Sequence, residues 1–84
     1  MATTTQPFPG DTWEELLRKW VAVLNPMNPA FQPFPGDTGA ELLRKILGAV
    51  RENAGLSNTV DANSFFPGDT EEVILRKILN VLNA

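Results

Sequence analysis

The sequence predicts an all-α fold of three short amphipathic helices, each started by a Phe-Pro-Gly-Asp-Thr turn. Two observations predict it. A single string occurs three times, and behind each copy the apolar residues fall at helical spacing. The copies are QPFPGDTWEELLRKWVAVLN (6–25), QPFPGDTGAELLRKILGAVR (32–51) and SFFPGDTEEVILRKILNVLN (64–83). They align without gaps. They share F-P-G-D-T, three variable residues, an apolar residue, and then L-R-K. A string this long does not arise three times by chance in 84 residues, so the chain is internally repetitive.

The first half of the string is turn chemistry. Proline fixes φ at the second turn position and glycine can supply a positive φ at the third, which predicts a type II turn. Asp11 or Thr12 then caps the first helix, Asp37 or Thr38 the second, and Asp69 or Thr70 the third. Either side chain can accept from a free N–H of the first turn. With threonine as cap, Thr12/Glu15 and Thr38/Glu41 make capping boxes. Val73 breaks that pattern in the third copy, where Asp69 with Glu72 fits it instead. Glu14, Glu15, Glu71 and Glu72 also suit the positive end of the helix.

The second half is an amphipathic helix, predicted over 12–24, 38–54 and 70–82. The stripe of the first copy is Trp13, Leu16, Leu17, Trp20, Val21 and Leu24. Leu42, Leu43, Ile46, Leu47 and Val50 form the second, and Ile74, Leu75, Ile78, Leu79 and Leu82 the third. The spacing i, i+3, i+4, i+7 defines one helix face. Leu17, Leu43 and Leu75 should be buried alike. The Arg-Lys pairs fall opposite, so Lys19, Lys45 and Lys77 should be more exposed. Glu14–Arg18, Glu15–Lys19, Glu41–Lys45 and Glu72–Arg76 are favourable i,i+4 pairs. A lone helix of this length is marginal in water. Each stripe must therefore pack on the other stripes, on a second copy of the chain, or on another protein.

Composition shifts place a polar tail at 1–5, repeats at 6–31 and 32–56, a polar linker at 57–63, and the third repeat at 64–84. Three prolines between Asn25 and Pro33 argue against helix and for an extended crossing. Gly55 is a natural helix stop, with Leu56 placed to fold back. Successive copies start 26 residues apart (6 to 32) and then 32 apart (32 to 64). Unequal spacing argues against a regular solenoid.

Composition also narrows function. The net charge is −3, and each basic pair sits beside acidic residues, which gives no drive toward nucleic acid. The chain has no His, Cys or Tyr. The commonest general base, the thiol nucleophile and thiolate metal ligands are therefore missing, and the expectation is no enzyme, no cofactor and no metal. Asp69, Glu71 and Glu72 lack the ligand alternation of a calcium loop. The N-terminal residues have no apolar stretch of the signal-peptide kind, and no apolar run could span a bilayer. A soluble, cytoplasmically made protein is expected. Phe31, Phe34, Phe65 and Phe66 precede helices and should cover the helix starts, with exposed hooks as the alternative for Phe31 and Phe65.

The strings at 9–19, 35–47 and 67–79 resemble short P-G-D-T-E-x-x-L-L-R-K-I-L helices of tailed-bacteriophage virion proteins. The second copy departs from that pattern at Gly39 and Ala40. The resemblance implies a virion structural role, as a capsid decoration or adaptor component, with other virion proteins or the chain itself as partners. It implies no chemistry. The alternative is a cellular helical adaptor that binds a protein or peptide.

Overall fold

The computed structural model describes residues 5–56 and 58–84. Most of the predicted tail and the first residue of the predicted linker lie outside the described residues. The fold is all-α: α1 (Trp13–Leu24), α2 (Gly39–Asn53) and α3 (Glu71–Leu82), with a 3-10 turn at Pro29–Phe31 and no strand among the described residues. The 3-10 turn corrects the fully extended crossing expected between α1 and α2. Pro29 takes its first position, where the missing N–H costs nothing, and Asn28 caps it.

Threonine is the cap in all three copies. Thr12, Thr38 and Thr70 have extended backbones, and their hydroxyls accept from the N–H groups of Glu15, Glu41 and Val73 at 3.2, 3.2 and 3.3 Å. Glu15 and Glu41 close the boxes by accepting from the cap N–H groups at 2.9 and 3.0 Å. Asp11, Asp37 and Asp69 are not caps, and the box expected between Asp69 and Glu72 does not form. Those aspartates are held elsewhere. Asn25 ends α1 in the left-handed region at φ 50°. Gly55 (φ 78°) ends α2 as the sequence predicts. The Leu56 and Gly55 N–H groups bind the Arg51 and Glu52 carbonyls at 2.8 and 3.0 Å, which is a Schellman motif.

The helix α2 lies in the middle, with α1 and α3 packed on either side of it. Its residues Leu42, Leu43, Ile46, Leu47, Ala49 and Val50 are buried. Leu17 and Val21 reach the same core from α1, and Ile74, Ile78 and Val81 from α3. The helix starts share one end of the molecule: a Cβ on Gly39 would lie 3.0 Å from the Trp13 indole nitrogen and 3.2 Å from the Glu71 carboxylate. At the other end the Asn53 amide donates to the Leu24 carbonyl at 3.3 Å. Helices that run the same way need long returns, and the two connections supply them. The first return packs Phe31 directly over Gly48, where a Cβ would fall 2.4 Å from the ring, so the ring seat exists because position 48 has no side chain.

Burial differs across the copies where the sequence predicted equivalence. Leu17 and Leu43 are buried, but Leu75 is half-buried. Trp13 and Leu16, expected to pack within the chain or on a partner, are exposed, and Trp20 is half-buried. The cause is position in the array. Only α2 has a neighbour on both sides.

Candidate functional site

Each copy of the repeated string builds the same polar clasp. In the Phe-Pro-Gly-Asp turn the aspartate N–H returns to the phenylalanine carbonyl at 3.0, 3.1 and 2.9 Å in copies one to three. The aspartate Oδ2 accepts from the phenylalanine N–H at 2.8, 2.9 and 3.1 Å. The glycines Gly10, Gly36 and Gly68 do not take positive φ, so the expected type II turn is corrected to one with negative φ at both central positions. The aspartate bridge back to the phenylalanine N–H holds the turn in that form. A Cβ on any of these glycines would meet open space, and nothing in the structure requires glycine there.

The lysine of each L-R-K closes the clasp. Helical side chains lean toward the helix N-terminus, so a lysine in the second turn reaches back to the turn that started its helix. Lys19 Nζ donates to Asp11 Oδ2 at 2.5 Å and to the Gln6 carbonyl at 2.8 Å, and lies 4.3 Å from the centre of the Phe8 ring. Lys45 makes the same set with Asp37, the Gln32 carbonyl (2.9 Å) and Phe34 (4.3 Å). Lys77 does so with Asp69 (2.6 Å), the Ser64 carbonyl (2.8 Å) and Phe66 (4.4 Å). The expectation that these lysines are more exposed than the stripe leucines holds in copies one and two, where Lys19 and Lys45 are half-buried and Leu17 and Leu43 are buried. It is corrected in copy three, where Lys77 is buried and Leu75 is half-buried. An ammonium has three donors, and two strong acceptors plus a ring face replace much of its water. The expected Glu15–Lys19 and Glu41–Lys45 pairs do not form, because the glutamates serve the caps and the lysines serve the clasps. Of the four expected pairs, Glu72–Arg76 is present, loose and exposed at 3.7 Å.

The clasps perturb their aspartates. The Lys19 hydrogen bond, with the Phe8 N–H, holds the Asp11 carboxyl below the ordinary range, and Lys77 with the Phe66 N–H does the same for Asp69. For Asp37, burial pushes upward. The Lys45 hydrogen bond, the Phe34 N–H and the Lys45 charge outweigh it, and the net shift is downward. These carboxylates are already committed to internal partners. That commitment argues against the Asp69, Glu71, Glu72 group as a calcium site.

A second polar anchor escaped the sequence reading. Arg51 is buried at the end of α2. It holds the second connection through Asp61 Oδ1 (2.9 Å), the Thr59 carbonyl (2.5 Å) and the Leu56 carbonyl (3.3 Å). Only its place beyond the shared string, just before Gly55, distinguished it. Beside it runs an open groove of about 440 Å³ between Phe31, Leu47, Gly48, Phe65 and Arg44. Arg44 stacks over Phe65 at 5.2 Å.

The cap assignment is testable in the third copy, which has no reciprocal glutamate. Thr70→Ala should cost about 1 kcal/mol in urea denaturation. A loss no larger than that of a neighbouring exposed site such as Glu71→Ala would contradict it.

The fold and its clasps define an all-α protein whose repeated polar residues bind one another. No family model, curated protein or solved structure matches the chain.

Proposed function

We propose that the chain is a non-enzymatic structural protein that docks repeated amphipathic helices in a larger protein assembly, as a capsid decoration or adaptor component of a virion. One observation carries the assembly part of this reading. The aspartate and lysine of each repeat close on one another, while large apolar side chains face outward on both flanking helices. Trp13, Leu16 and Val23 do so on α1, and Leu79 and Leu82 on α3. Exposed apolar groups clustered on one face suit protein contact. The resemblance of the P-G-D-T helices to tailed-bacteriophage virion segments supports the virion setting. No helix among the described residues is long and apolar enough to cross a membrane.

The test is to express the chain with the genes that neighbour it and to purify any particles by density gradient. Mass spectrometry should find the chain in the particle fraction at a fixed ratio to the major shell protein. Recovery in the soluble fraction alone would remove the virion reading.

A further inference from the structure

The three copies occupy different places in one array, and comparing equivalent positions shows how a copy meets its neighbours. Each helix carries two apolar faces. One holds Leu16, Trp20 and Val23 in α1, Leu42, Ile46 and Ala49 in α2, and Ile74, Ile78 and Val81 in α3. The other holds Leu17, Val21 and Leu24, then Leu43, Leu47 and Val50, then Leu75, Leu79 and Leu82.

Burial sorts these faces by position. On the first face Leu16 and Val23 are 41% and 61% exposed, whereas no equivalent in α2 or α3 exceeds 7%. On the second face Val21 and Leu47 are at 0%, whereas Leu79 and Leu82 are each at 57%. The second face of α2 meets α3, because Ala40 and Arg44 on that side share a groove with Phe65, Pro67 and Ile74. The first face of α2 is therefore left for α1, which turns its own second face inward. Each copy thus packs its first face against the second face of the copy before it. The relation runs head to tail, and it leaves Leu16 and Val23 on the first face of α1 and Leu79 and Leu82 on the second face of α3 exposed, with Trp20 and Leu75 half-buried.

The arginine of L-R-K follows the same rule. Arg44 lies beside the turn of the next copy, over Phe65 and near Asp69. The charge of Arg18 likewise reaches Asp37 in the next turn. Arg76 occupies the equivalent place on α3, where it is largely exposed.

We propose that a second copy of this chain docks head to tail, the first face of its α1 covering the second face of α3. Leu16, Trp20 and Val23 of the incoming copy meet Leu75, Leu79 and Leu82, and Arg76 faces the incoming Phe8–Asp11 turn. This repeats between chains the contact already made twice within one. Such a contact is heterologous, so it extends into a filament or closes into a ring. The patch is small, and the association is correspondingly weak. The proposal stands apart from the virion reading, since it is tested on the pure chain and each can fail alone.

The experiment is sedimentation velocity on the full chain up to about 1 mM, a range that captures weak association. The wild type should gain mass steadily with concentration. Leu16→Glu blocks one face and Leu79→Glu the other, and both positions are exposed, so the fold should survive. Each variant alone should be monomeric. Mixed, they should form a one-to-one dimer, because each retains the face that the other lost. Val23→Glu and Leu82→Glu provide a second pair, should either first variant lose helical circular dichroism. A wild type that stays monomeric, a single variant that associates as the wild type does, or a mixture that stays monomeric would each overturn the proposal.

Discussion

Leu43→Ala should destabilise the chain by about 2–5 kcal/mol, the range for removing a fully buried leucine from a packed core. Leu43 is completely buried on the one helix with neighbours on both sides. Its loss leaves a cavity that neither flank can close without giving up contact with α2. Small domains are stable by only about 5–15 kcal/mol, so the variant should unfold far earlier in urea. The repeat supplies an internal control. Leu75→Ala removes the same side chain from the equivalent position on α3, where it is half-buried. It should cost well under half as much in dilute solution. Unfolding can be followed by Trp20, which packs against the core. Equal losses at the two positions would mean that α2 is not the centre of the packing.

That comparison also shows how far the sequence could be read. Periodicity placed all three helices to within about a residue, because the apolar spacing and the Thr-x-x-Glu pattern are local signals. The end of α2 was legible for the same reason: Gly55 and Leu56 are the residues that a Schellman motif needs. Burial of Leu75, Trp13 and Leu16 was not legible. Three stripes with the same spacing look alike in sequence, and only the order α1, α2, α3 in space decides which has two neighbours. The burial of Lys77 was misread, and the clasp missed in all three copies, for a related reason. The residues Lys19, Lys45 and Lys77 lie off the apolar stripe, and a polar residue opposite a stripe ordinarily faces water. The missed signal was the fixed eight-residue interval from aspartate to lysine, present at 11/19, 37/45 and 69/77 although the three residues after the threonine vary. A charge pair that keeps its spacing through divergence suggests a bond across that spacing. The arginines keep theirs equally well, yet they point toward the next copy, which the single repeat could not reveal.

Lys45→Met should lower the thermal midpoint by about 5–10 °C near neutral pH, with the loss shrinking as the solution is acidified. The substitution keeps most of the aliphatic stem and removes the ammonium. Asp37 is then left as a largely sequestered carboxylate held only by the Phe34 N–H, and the Gln32 carbonyl loses its donor. Water reaches part of the clasp, so the loss falls short of that for a fully buried pair. The pH dependence follows from the direction of the shifts. The carboxyls of Asp11, Asp37 and Asp69 titrate lower in the folded chain than in the unfolded one. Their contribution is fully present above the unfolded value of about 3.9, and is lost as the pH falls through the folded values. The wild type should therefore hold its stability from neutrality to about pH 5 and weaken below about pH 4. In Lys45→Met the Asp37 carboxyl has lost its cation, so it protonates at higher pH than in the wild type. As the pH falls through the lowered folded value of Asp37 the wild type loses the same ion pair, and the two melting curves should converge. Arg76→Met is the control, since Arg76 is largely exposed and belongs to no clasp. A difference between Lys45→Met and wild type that stays constant with pH, or one matched by Arg76→Met, would show that the ammonium acts only through packing of its stem.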